Sequence, residues 1–270
     1  MPNGEERPRP VSSSREPDFP AQQVALFRDV LALFNERGVS YAVSGAFALQ
    51  QHTGIWRDTK DLDLFMPAED AISALGYLRD AGFDCEIPDP VWLAKAHRNG
   101  FFVDLITGMS NAAITVDRSW IERSAYSELF GIPVRILAAE ELFASKLFVQ
   151  FRERFDGADM VHIIYAKRGH LDWNRIVSLV GEHRDLLFVI LLLFHYVYPG
   201  SANVVPSGVW KLLTDELMES LRAPGQPAFR GTLLDDHMFA IDVKEWGLPD
   251  LLEEYRGRRK SKIREVPRAA

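Results

Sequence analysis

The stretch "KDLDLFM", residues 60–66, sets two aspartates into an apolar run with one leucine between them. The alternation of Asp61, Leu62, Asp63 and Leu64 has the period of a β-strand, so both carboxylates project from one face while the leucines fill the other. Two like charges held side by side in a half-buried strand repel, and burial raises the cost of each. The usual remedies are to protonate one carboxylate or to place a cation between them, and a divalent metal is the stronger remedy. Magnesium is suited to the task, because it takes oxygen ligands from one or two carboxylates and fills its remaining positions with water and phosphate oxygens. A third acid, Asp104 in "FFVDLIT", also lies within an apolar strand pattern, where an unpartnered carboxylate is expensive. Three costly acids suggest one shared cation site. A pair of ions about 4 Å apart in such a site would clamp the attacking and leaving oxygens of an in-line phosphoryl displacement.

The surrounding pattern gives an N-terminal mixed α/β block. Residues 21–38, "AQQVALFRDVLALFNERG", carry apolar residues at helical spacing and end on Gly38 at a C-cap. "VSYAVSG" reads as a short buried strand running into Gly45, and "AFALQQH" as the helix after it. Ser44 and Gly45 thus close a strand and open a helix, where backbone N–H groups can receive a phosphate. Beyond the aspartates come a helix in "AISALGYLRDAG", a strand in "FDCEI", a hairpin turning at Asn99-Gly100, and two short strands in "YSELFGIPVRIL". After Ala138 the pattern is helical almost throughout. The expected organisation is an N-terminal segment over 1–20 without a packed core, an α/β domain over 21–137, a helical domain over 138–255 and a basic tail over 256–270.

Composition narrows the class. With 270 residues and 47% hydrophobic content, the chain can bury a sizeable core in one large domain or two modest ones. Its single cysteine, Cys85, cannot form an internal disulfide, and neither a signal peptide nor a CxxC pair is visible; a reducing, cytoplasmic setting is expected. The longest apolar run, Leu186 to Tyr198, has 13 residues, short of the roughly 20 that a membrane helix needs, and reads as a buried core helix with His195 satisfied inside it. A net charge of −7 argues against a surface that grips nucleic acid everywhere, although the last fifteen residues carry a local +6. That tail is either a solvated terminus or a contact to phosphates. The seven histidines lack metal-ligand spacing, and no GxSxG, Walker A lysine or GxGxxG pattern occurs, which removes the commonest zinc, hydrolase, NTPase and dinucleotide signals.

Taken together, "YAVSGAFALQQHTGIWRDTKDLDLFM" resembles the nucleotidyltransferase signature of the DNA polymerase β superfamily: a hydrophobic strand, a Gly-Gly or Gly-Ser pair, a helix and then a DxD strand. Within it the chain is most similar to minimal bacterial nucleotidyltransferases of the abortive-infection toxin type, which carry an Arg-x-Thr-x-Asp-x-Asp stretch, here Arg57, Thr59, Asp61 and Asp63. The resemblance implies an α+β fold, a nucleotidyltransferase-type mixed sheet with flanking helices followed by a C-terminal helical domain. It implies Asp61, Asp63 and Asp104 as catalytic metal ligands for Mg²⁺ or Mn²⁺. It places Ser44, Gly45, Arg57 and Thr59 at the nucleotide. The segment "EELFASKLFVQFRERFDGADMVHII" resembles a further part of the same group, and by that match Lys146 contacts nucleotide phosphates while Asp156 or Asp159 supports the site. From spacing alone, Lys146 is equally a snorkelling surface lysine, and Asp156 is an N-cap before an apolar helix. Trp56 either stacks on a base or packs.

The chain departs from the family pattern in having Ser44-Gly45 followed by Ala46 where a hydroxyl residue is common. The activity implied is transfer of a nucleoside monophosphate from an NTP to a hydroxyl acceptor in RNA, protein or a small molecule, with release of pyrophosphate. Two other functions share the fold: a catalytically silent nucleotide-binding regulator, and a toxin-like protein masked by a partner chain.

Overall fold

A computed structural model describes residues 17–57, 59–222, 228–259 and 262–263. The expected N-terminal segment lies almost wholly outside these residues, as does much of the basic tail.

The chain opens with helix α1 (Ala21–Arg37), which buries Leu26, Phe27, Val30, Leu31 and Phe34 and ends on Gly38 in the left-handed conformation. Its cap N–H donates back to Asn35 and Phe34, the expected C-terminal closure. Strand β1 (Ala42–Val43) and helix α2 (Gly45–Thr53) follow, then β2 (Asp63–Phe65), α3 (Ala68–Asp80), β3 (Asp84–Asp89), β4 (Leu93–Arg98) and β5 (Phe101–Ile106). A short helix α4 (Arg118–Glu122) leads to β6 (Ala125–Leu129) and β7 (Ile132–Ile136). Helices occupy the remainder: α5 (Ala139–Lys146), α6 (Gly157–Lys167), α7 (Trp173–Val180), α8 (Arg184–Val197) and α9 (Ser207–Arg222), then α10 (Gly231–Leu234), α11 (Ala240–Lys244) and α12 (Leu251–Arg258). The mixed-sheet α+β class expected from the sequence is what forms.

The seven strands make one sheet in the order β3-β4-β5-β2-β1-β7-β6. Neighbours β2/β5 and β1/β7 are parallel and the other pairs antiparallel. Helices α1 and α3 pack against the strands, while α2 packs against α5 and α6. One contiguous apolar core runs from Leu26 in α1 to Ile263 near the C-terminus. The site-bearing strand β2 therefore lies mid-sheet, and the later helices reach it through α2.

Three local expectations change. Strand β2 begins at Asp63, so Asp61 stands just ahead of the ladder instead of inside it. Helix α8 buries one stripe, Leu187, Ile190, Leu191 and Phe194, but exposes Val189, Leu192 and Tyr196. His195 is exposed and rests its ring near Trp210, so it is not a core histidine. An apolar run with no polar stripe cannot tell which of its faces meets a neighbour. Third, the described part of the basic tail is docked. Arg256 donates to both oxygens of Asp89 and to the Ser110 carbonyl, Arg259 donates to Thr107, and the buried Ile263 donates its N–H to the Pro90 carbonyl. In the stretch "GTLLDD", residues 231–236, the Asp235 carboxylate accepts from the backbone N–H groups of Arg152, His237 and Met238.

No helix among the described residues is long and apolar enough to cross a membrane.

Candidate active site

Pairing of β2 with two neighbours gathers the acids. Parallel register places Asp63 beside Asp104 on β5. The Asp104 N–H donates to the Leu62 carbonyl at 2.9 Å, and the Ser44 N–H donates to the Asp63 carbonyl at 2.9 Å. Asp61 joins them from the approach to β2, where the Thr59 hydroxyl donates to its carboxylate at 2.7 Å and to its carbonyl at 3.1 Å. One carboxylate oxygen from each of Asp61, Asp63 and Asp104 lies within 4.8 Å of the others.

That convergence has an electrostatic cost. Burial, joined by the charges of Asp61 and Asp104, pushes the Asp63 carboxyl up to about 7 against the opposing charges of Lys146 and Arg154. Burial also raises Asp104, against the hydrogen bond and charge of Lys95. An all-oxygen donor set, anionic and short of positive charge, has the chemistry of a magnesium or manganese site. The residues present fit such an ion.

Gly45 shapes the wall beside this cluster. Its φ is +56°, and a Cβ built there would fall 1.8 Å from Asp63 Oδ2. Only glycine allows the start of α2 to come so close to the carboxylate in that conformation. Ser44 occupies the N-cap position of α2, is almost fully buried, and makes no side-chain capping bond.

Behind the triad lies a second set of charges. Lys146 is buried, and its Nζ donates to Asp156 Oδ2 at 2.6 Å and pairs with Asp159 Oδ2 at 3.0 Å. It is therefore not a snorkelling surface lysine. Asp156 stands at the N-cap position of α6 without making a capping bond. Lys146 and Arg154 claim its side chain, Arg154 through two bonds of 3.0 Å. The Asp156 carboxyl is held low despite its burial by these two cations. Arg57 donates to Asp159 Oδ1 at 2.9 Å and reaches His162 at 3.4 Å. Its side chain remains 43% exposed and that of Arg154 65% exposed, so both have surface left for an anion. Trp56 packs edge-on against Phe47 and Phe19, which gives it a place in the core.

Two residues beside the cluster were not foreseen from the sequence. Arg154 sits in an irregular stretch with no periodic signal. Lys95 donates to Asp104 Oδ1 at 2.6 Å, and its signal was available: a two-residue Asn99-Gly100 turn pairs residue 98 with 101 and therefore 95 with 104.

Comparison with known proteins gives a family and a set of distant structural likenesses. A family model described as "Nucleotidyl transferase of unknown function (DUF2204)" matches residues 24–185. No curated protein matches the chain. Among solved structures, the antibiotic-resistance factor ANT(2'')-Ia is 16% identical with a TM-score of 0.42, over 66% of this chain and 100% of that one. JHP933 from Helicobacter pylori is 15% identical with a TM-score of 0.39, over 76% of this chain and 100% of that one. The lincomycin-bound lincosamide antibiotic adenylyltransferase LnuA is 14% identical with a TM-score of 0.37, over 54% and 98%.

Proposed function

The chain belongs to the nucleotidyl transferase family of unknown function (DUF2204), and from that premise we propose that it moves a nucleoside monophosphate from an NTP to a hydroxyl acceptor, releasing pyrophosphate. The observation that carries this reading is the convergence of Asp61, Asp63 and Asp104 beside a glycine-lined helix start. These three carboxylates would hold Mg²⁺ or Mn²⁺, which when bound supplies charge neutralisation at the reacting phosphate and lowers the pKa of a bound hydroxyl.

The chain's own groups do the positioning. The start of α2 offers backbone N–H groups to an anion, and Gly45 keeps that approach open beside Asp63. Arg57 and Arg154 present exposed guanidinium surface to a triphosphate. Asp156 and Asp159, both anchored by Lys146, hold Arg154 and Arg57 in place. The part of Lys146 in phosphate binding is thereby indirect. Asp104 would orient the acceptor hydroxyl or help to deprotonate it. Catalysis then rests on positioning and preorganised charge, with no covalent enzyme intermediate. We assign the catalytic unit to residues 21–137, completed by the helices that follow.

The test is transfer of label from each of four α-labelled NTPs, with Mg²⁺ or Mn²⁺, into total RNA, protein and a panel of small hydroxyl compounds. Label should enter one fraction and disappear in Asp61→Ala and Asp63→Ala. Tight NTP binding with no transfer under either metal would replace the enzyme by a nucleotide-binding regulator. Growth arrest on expression, relieved by Asp63→Ala, would identify a toxin-like activity that needs a masking partner.

A further inference from the structure

The strand pair β4/β5 puts a cation where a metal ligand is expected. Lys95 stands directly opposite Asp104 in the ladder, and its Nζ lies 2.6 Å from Asp104 Oδ1, with the two side chains only 20% and 11% exposed. The Phe102 ring lies under the same ammonium, 4.1 Å from nitrogen to centroid. Packing between an aromatic face and a carboxylate fixes the ammonium on both sides. It cannot be a mobile surface charge.

This contact changes the charge and ligand inventory of the triad. Three carboxylates carry three negative charges, and the Lys95 ammonium cancels one. One divalent cation matches the remainder. The oxygen that Lys95 occupies is also unavailable to a second ion, while Thr59 engages an oxygen of Asp61. Behind the triad, Lys146, Arg57 and Arg154 are bonded to Asp156 and Asp159, three cations against two carboxylates, and that surplus positive charge makes a second divalent ion still less favourable. We propose that Lys95 is a resident counter-cation of the third carboxylate, and that the substrate-free triad consequently takes a single divalent ion. The inference rests on the nucleotidyltransferase reading and assigns Lys95 as a positioning residue within it. The second place in the site is filled in advance by the protein's own ammonium.

The experiment is titration of the full chain with Mn²⁺, without nucleotide at pH 8.5, read by electron paramagnetic resonance for free ion. Parent, Lys95→Met, Lys95→Arg and Asp63→Asn are compared, with thermal melts confirming a folded state. The parent should bind one Mn²⁺, and Asp63→Asn should lose it. Lys95→Met should bind a second ion or hold the first at least tenfold more tightly, and Lys95→Arg should behave as the parent. Two ions in the parent overturn the proposal even if Lys95→Met fails to fold. One ion in both parent and folded Lys95→Met, at equal affinity, also overturns it while leaving the metal reading intact. No binding by the parent removes the metal reading itself and the proposal with it.

Discussion

Replacing Gly45 by alanine separates the stability of the fold from the integrity of the site. The φ of +56° is left-handed, which costs an alanine roughly 1–2 kcal/mol. In a chain of this size that is a melting temperature lower by about 2–8 °C. The new methyl would also fall 1.8 Å from Asp63 Oδ2, 2.9 Å from its Cγ and 3.3 Å from its Cβ. Such contacts cannot stand, and the side chain that can move is the carboxylate itself. Rotation of Asp63 relieves the clash and dismantles the triad. Gly38→Ala supplies the control, since Gly38 has φ +66° with nothing within 4 Å of a built Cβ. Both variants should melt lower by similar amounts, but only Gly45→Ala should lose Mn²⁺ binding and cut label transfer by about 10²-fold or more, the scale of an ångström-level misplacement. Parent-like Mn²⁺ affinity in folded Gly45→Ala would refute the close approach of α2 to Asp63.

Two further outcomes follow from the charges. The Asp63 carboxyl keeps its proton up to about 7 in the native state, whereas an unfolded aspartate loses it near about 3.9. The native state therefore holds more protons across that interval, so Asp63 contributes stability at low pH that is lost as pH rises through about 7. Metal-free parent minus Asp63→Asn melting temperatures, taken from pH 5 to pH 8, should fall with pH, and Mg²⁺ should bind more tightly over the same range as it competes with the proton. A difference that rises with pH would reverse the assigned burial effect. Lys146→Met leaves Asp156 and Asp159 buried with one fewer cation and should cost about 3 kcal/mol. Lys146→Met combined with Asp156→Asn should recover part of the loss, because groups in one network do not add independently; strict additivity in thermal melts would count against the network.

How far the sequence revealed these features depended on whether the controlling contact was local. Period-two alternation, the Asn99-Gly100 turn and Gly38 report on neighbours a few residues away, so the strands, the hairpin and the end of α1 were legible. The Lys95–Asp104 pair was legible in principle, because a two-residue turn fixes the register of everything beyond it. Arg57 and Asp159 are 102 residues apart in the chain; the family resemblance puts both at one site, but no period announces that they pair. The same limit explains Asp156. Its position before an apolar run predicted an N-cap correctly in place but not in bonding, because Lys146 and Arg154 compete for the same oxygens.

Five aspartates crowd this part of the molecule, and only the family resemblance sorts them into ligands and supports from the sequence. Their fixed cations give an independent, physical criterion. Asp156 has Lys146 and Arg154 at bonding distance, and its carboxyl is held low against burial. Asp159 is shared between Lys146 and Arg57. Asp63 feels Lys146 and Arg154 only as more distant charges, too weak to offset burial and two neighbouring carboxylates. Asp104 has Lys95, yet burial still raises it. An acid matched by the protein's own cations is already satisfied and gains little from a metal ion, whereas one left short of positive charge can gain from binding it. By that criterion Asp63 and Asp104 are the proposed ligands, Asp61 joins the proposal through its shared geometry, and Asp156 and Asp159 are the proposed supports. The criterion also explains why the triad needs Lys95 on one side only: a second resident cation on Asp63 would leave a single negative charge for a divalent ion to neutralise.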